Sequence, residues 1–135
     1  MNIVFSKNLS KKKHENFLEK IGNYQIYHTE KLLNYYFNTS KIIDKSFFIF
    51  DEDKPLVFAP LGIVNEDDFN TLSFSSVACH TPAVSNDLNS QNKRKLYREL
   101  YNTIYNIGIE HKCKSFDFFF HPVKFFKNQC KLDYK

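Results

Sequence analysis

Glycine is scarce in this chain: 3 among 135 residues, alongside 4 prolines, 3 cysteines and no tryptophan. A loop whose backbone N–H groups wrap a phosphate depends on glycine to let the anion approach, so this scarcity argues against a nucleotide or CoA cradle. The cysteines stand at unrelated spacings and are odd in number, which excludes a disulfide framework. A structural zinc site normally takes two ligand pairs, each two to four residues apart. Among Cys79, His80, His111, Cys113 and Cys130, only His111 and Cys113 have such a spacing. The longest apolar run, PLVFAPLGIV at 55–64, is about half of what a membrane span requires. The first residues, MNIVFSKNLSKKK, hold too short an apolar stretch for a signal peptide. A reducing, cytoplasmic setting without a membrane span is the expectation.

What is present is ordinary globular material. Hydrophobic residues make up 42% and charged residues 25%, enough for one domain with a real core. Fifteen phenylalanines and eight tyrosines take the place that leucine and valine usually fill. The net charge is +4, from 19 basic and 15 acidic residues. The basic residues are scattered apart from Lys11-Lys12-Lys13 and Lys93-Arg94-Lys95, and no aromatic interleaves either cluster. A nucleic-acid binder gathers such charge on one face with stacking rings between. The two clusters read as solvated surface.

Patterning predicts the elements. NIVF at 2–5 forms a short edge strand. Ser10 caps a helix through Ile21, with Phe17, Leu18 and Ile21 on one face and Gly22 as its stop. YQIYH at 24–28 alternates as an extended segment, and Thr29 caps a second helix bearing Leu32, Leu33, Tyr36 and Phe37. KSFFIFDEDKPLVFAPLGIV at 45–64 is a β-hairpin around a polar turn; Pro55 opens the returning strand, and Pro60 interrupts it near a sheet edge. NTLSFSSVA at 70–78 is a third strand. Residues 90–108 form the longest helix, with Leu96, Leu100, Ile104 and Ile107 as the buried stripe and Tyr97, Tyr101 and Tyr105 beside it. KSFDFFFHP at 114–122 is the fourth strand, and 123–135 adds an amphipathic turn of helix. Strand, helix and strand at this spacing make one βαβ unit with a right-handed crossover, so the third and fourth strands run parallel. The fold class is α/β: N-terminal helices, then a mixed sheet with an antiparallel hairpin and one βαβ crossover.

Ligands of open α/β sheets bind where parallel strands end. That edge gathers Cys79, His80, Thr81 and Pro82 after the third strand and His121 at the end of the fourth, with Asp117 lower on it. A Cys79–His80 nucleophile pair oriented by Asp117 is conceivable, but no glycine-rich turn supplies aimed backbone donors for an oxyanion. The plainer reading makes Cys79 a small buried hydrophobe and the histidines strand caps. Glu66-Asp67-Asp68 reads as a solvated loop, and the tyrosine stripe as core.

Two stretches carry a resemblance. One is IYHTEKLLNYYFNTSKIIDKSFFIFDEDKPLVFAPL; the other is TPAV before the long helix with DFFFHP on the strand after it. Together they resemble the N-terminal portion of FemAB-like transferases, built from tandem halves of the GNAT (N-acyltransferase) type, over about residues 24–122. The resemblance implies a GNAT-like half-domain spanning 1–135, incomplete as it stands, and transfer of an acyl or aminoacyl group onto an amine. Surface-glycan or cell-wall building is the usual setting. The donor, acyl-CoA or aminoacyl-tRNA, would not be bound by this chain, because the Cys-His-Thr-Pro loop lacks the family's Arg/Gln-x-x-Gly-x-Gly/Ala pattern. The implied partner is a second half-domain or a second copy. His80, Thr81, Asp117 and His121 are the candidate acceptor-pocket residues. The alternative is a small non-catalytic α/β binding module.

Overall fold

The computed structural model describes residues 1–40, 42–66, 69–73 and 81–117. Strand β1 (Asn2–Phe5) leads through a 3-10 turn at Ser6–Asn8 into α1 (Lys11–Ile21). Ser10 Oγ accepts from the Lys13 N–H at 3.2 Å, and Gly22 ends the helix at φ 77°, where a side chain would be strained. The buried face of α1 is His14, Leu18 and Ile21, so the helix period had one further member on its apolar side, a histidine.

Residues 24–28 are not extended. Ile26–His28 is a 3-10 turn because the His28 ring reaches back to accept the Gln25 N–H, leaving Ile26 75% exposed. Helix α2 (Glu30–Ser40) follows. Thr29 Oγ1 donates back to Ile26 C=O instead of capping, and the Glu30 N–H is met by Glu15 Oε1 of α1 at 3.0 Å. A tertiary contact thus replaces the local cap.

The hairpin is longer and more sharply divided than its pattern suggests. β2 (Ile43–Asp44) and β3 (Phe47–Asp51) make one arm; β4 (Lys54–Ala59) and β5 (Gly62–Glu66) make the other. β6 (Phe69–Ser73), β7 (Ala83–Val84), α3 (Ser90–Glu110) and β8 (Cys113–Asp117) complete the described elements. The first sheet has the order β1-β3-β4-β7, antiparallel throughout. The second has the order β2-β5-β6-β8, and its β6–β8 pair is parallel, as the βαβ reading requires. β7 has no counterpart in the sequence reading; two residues are too few for a periodic signal.

Both arms cross between the sheets at one point. Pro60 and Leu61 are buried there, so Pro60 lies at a junction, not at an edge: β4 stands between β3 and β7, and β5 between β2 and β6. A residue without an N–H fits where no ladder bond is needed. Ser46 bridges the gap, its Oγ accepting from the Leu61 N–H at 3.0 Å and lying 3.4 Å from the Leu61 carbonyl, while Lys45 N–H donates to Leu61 C=O at 2.9 Å. Ser46→Ala would leave a buried N–H unsatisfied, and urea unfolding should show a loss of about 1–3 kcal/mol.

The first sheet is covered on both faces. Phe47, Ile49, Val57 and Ala59 turn toward α3, and Phe48, Phe50 and Phe58 toward α1 and α2. This is why FFIF and LVFA read as unbroken apolar runs. A register shift beside Ile49 and Phe50 lets Leu56 join Val57 on the α3 side. Asn89 Oδ1 caps α3 by accepting from the Asn92 N–H at 2.8 Å, and Leu96, Leu100, Ile104 and Ile107 seal both sheets. Tyr97 is buried, whereas Tyr105 is 57% exposed, so the tyrosine stripe turns progressively outward. Gly108 lies inside α3, at its closest approach to the second sheet. A Cβ there would run into the Phe116 ring.

Candidate functional site

The parallel strands β6 and β8 pair as far as the described residues reach, with Ser73 opposite Asp117. Continuing across the sheet, Ser73 faces Gly62 and Gly62 faces Asp44, which sets one row of Asp44, Gly62, Ser73 and Asp117 across four strands. Leu72 and Ile63 belong to the core under α3, so alternation places this row on the sheet's other face. The next row adds Thr71 and Ser115, whose hydroxyls are 2.9 Å apart. Thr71 and Ser73 are buried, at 8% and 2% exposure.

Asp44 is half-buried, and its Oδ1 accepts from the Ser46 N–H at 2.8 Å. Burial pushes its carboxyl above the usual carboxylate range; the Ser46 hydrogen bonds and the nearby His14 and Lys7 work the other way. Hydroxyls and a carboxylate on one face can accept hydrogen bonds from an ammonium or amine.

Of the residues singled out from the sequence, Asp117 lies on β8, paired with Ser73 of β6. Thr81 is 6% exposed and leads into β7 of the first sheet, so it and Asp117 stand in different sheets. His80 and His121 lie outside the described residues, as do Cys79, Cys130, residues 67–68 and the stretch 118–135. Cys113 is half-buried, and burial pushes its thiol pKa up, away from the reactive thiolate. Among the described residues no group of three or more His, Cys, Asp or Glu side chains could hold a metal, and no helix is long and apolar enough to cross a membrane.

Sequence reasoning passed over two buried histidines. His14 Nε2 donates to His28 C=O at 2.9 Å, and His14 Nδ1 accepts from the Ser6 hydroxyl at 2.8 Å. His28 Nδ1 accepts the Gln25 N–H at 2.8 Å, which leaves its proton on Nε2 for Thr81 C=O. The signal available for His14 was its place four residues before Leu18 on the apolar face of α1. His28 offered none, because its role depends on a segment more than fifty residues away.

Two shallow depressions flank Lys20, one of about 390 Å³ along α1 and one of about 450 Å³ at the tip of the β3–β4 hairpin, and neither is lined by residues of the Asp44–Asp117 row. Set against family models, curated proteins and solved structures, the chain matches none.

Proposed function

We infer that this chain is the acceptor-side half of a GNAT-type, FemAB-like transferase that moves an acyl or aminoacyl group onto an amine. One observation carries the reading: the order and direction of the elements. An edge strand, two helices, two long antiparallel arms, a third strand, a long helix on the other face and a final parallel strand follow one another as such a half-domain requires. The acceptor amine is assigned to the Ser73–Asp117 row of the parallel pair. In the transfer, the amine nitrogen bonds to the acyl carbon, the donor's C–S or C–O bond breaks, and the ammonium proton passes to a carboxylate or water. The donor, acyl-CoA or aminoacyl-tRNA, is held by a second half-domain or a second copy. The reaction is proposed for the cytoplasm, with Asp117, His80 and His121 at the acceptor pocket; Thr81, which leads into the other sheet, is not part of it.

NMR titration of labelled protein with Nα-acetyl-lysine methylamide, then with acetyl-CoA, tests this. Shifts at the Thr71, Ser73, Ser115 and Asp117 amides with the amine are expected. An unchanged spectrum with the amine at millimolar concentration would remove the acceptor site.

A second reading has its own support. The first sheet is buried on both faces by this chain's own helices, as in a self-contained binding module. Amine binding would set that module reading aside; a cooperative monomer indifferent to amines would favour it.

A further inference from the structure

Residues 81–85 are held to the molecule by few bonds. β7 pairs with β4 over only two residues, Val84 against Val57 and Ala83 against Phe58. Beyond that ladder, Ser85 N–H donates to Leu56 C=O at 2.9 Å and Asn23 Nδ2 donates to Val84 C=O at 3.2 Å. Among the described residues a further tie is the His28–Thr81 bond. It is the last link of a relay running from Ser6 through His14 and His28 to Thr81, which joins the turn after β1, α1, the 26–28 turn and the lead-in to β7. Both rings are at most 2% exposed and lie edge-on to Phe58, with ring centroids at 4.9 Å for His14 and 6.0 Å for His28.

Only a neutral His28 fits. A second proton would sit on Nδ1, which already receives the Gln25 N–H, so two donors would confront each other. Among the described residues no carboxylate acts on His28 itself. Tyr27 packs on His28 at 4.5 Å, β3 and β4 present Phe48 and Phe58, and α1 presents His14. Asp44 of β2 and Lys7 of the Ser6–Asn8 turn interact with one another and, for Asp44, with His14. Glu15 is engaged with the Glu30 N–H at the start of α2.

We propose that this relay is an acid-released latch: protonation of His28 detaches residues 81–85 from β4 while the central strands stay paired. The device is independent of the acyl-transfer reading. Detachment is local because β7 pairs over two positions and buries only the small side chains of Ala83 and Val84, whereas β3 and β4 pair over five partner positions and carry most of both core clusters.

Burial lowers the His28 pKa from 6.5 to about 4; the Thr81 carbonyl opposes the shift, and His14 adds to it. Once detached and hydrated, the ring titrates near its ordinary value. The closed form therefore binds the proton less readily than the open one. Closure is at full strength above about pH 6.5, weakens as the pH falls, and levels off below about 4. The open-to-closed ratio rises about 20-fold between pH 7 and 5, and about 300-fold across the whole window. Detachment bares the β4 edge, which becomes a template for strand pairing.

Amide hydrogen exchange resolved by NMR, corrected for the intrinsic pH dependence of exchange, tests the latch in the full chain. The Ser85 amide is expected to lose about 20-fold protection between pH 7 and 5, with Phe48 and Val57, which face away from β7, unchanged. His28→Gln keeps a donor for Thr81 without a titrating ring, and its Ser85 protection should be flat over the same range. Loss of protection at all three amides together, constant Ser85 protection, or an unchanged pH response in His28→Gln would each overturn the proposal. Should that variant fail to fold, an imidazole NMR titration of the unaltered protein decides: His28 titrating near 6.5 overturns the latch, and near 4 upholds it.

Discussion

Phe58→Ala is expected to cost about 3–5 kcal/mol, a large share of the total stability of a domain this size. Phe58 is fully buried at the centre of the first sheet, with ring centroids 4.6 Å from Phe48, 4.9 Å from His14 and 6.0 Å from His28. Removing it deletes transfer energy and edge-to-face contacts and leaves a cavity between strand and helices that neither can close. Urea denaturation measures the loss. A second readout follows from the same change: burial is the foremost cause of the low His28 pKa, so water entering the cavity should move that value from about 4 toward 6.5. A stability loss below about 1 kcal/mol would mean that the aromatic cluster is not the centre of this face.

Leu100→Ala is expected to cost about 2–5 kcal/mol, while Tyr105→Ala on the same helix should change stability by less than about 0.5 kcal/mol. Leu100 is fully buried in the core that α3 forms with strands of both sheets. Tyr105, five residues on, is 57% exposed and touches the Phe116 ring edge-on at 6.2 Å. The contrast tests which face of α3 seals the sheets. Because the second sheet depends on that seal, the Leu100 variant should also loosen the Thr71–Ser115 row, visible as faster exchange at the β6 and β8 amides. Equal effects of the two substitutions would mean that the helix is rotated relative to its assigned stripe.

These two changes bear on different surfaces of one sheet system. The α1–α2 side holds the histidine relay, and the second sheet's face away from α3 holds the Asp44–Asp117 row. An effect on amine binding from Leu100→Ala without one from Phe58→Ala would tie the candidate site to the second sheet, as proposed.

Local chemistry was legible wherever one short window contained both cause and effect. The Ser10 cap and Gly22 stop bound α1 because donor, acceptor and left-handed residue lie within a few positions of each other. The stripe Leu96, Leu100, Ile104 and Ile107 showed because a 3.6-residue period repeats over a 21-residue helix. The parallel β6–β8 pair followed from a connection containing a long helix. Other features depended on partners distant in the chain. Helix α2 begins on a cap from Glu15, fifteen residues earlier, and the His28 ring is buried against Thr81, fifty-three residues on. The division of the hairpin into two sheets turns on Ser46 meeting Leu61, and the row of Asp44, Gly62, Ser73 and Asp117 exists only through the register of four strands. By itself the sequence determined the helices, the strand-rich arms and the α/β class, since propensity and periodicity act over neighbouring residues. Only the tertiary structure decided which polar groups would be buried together, because their hydrogen bonds are chosen by packing between segments that no window of sequence brings together.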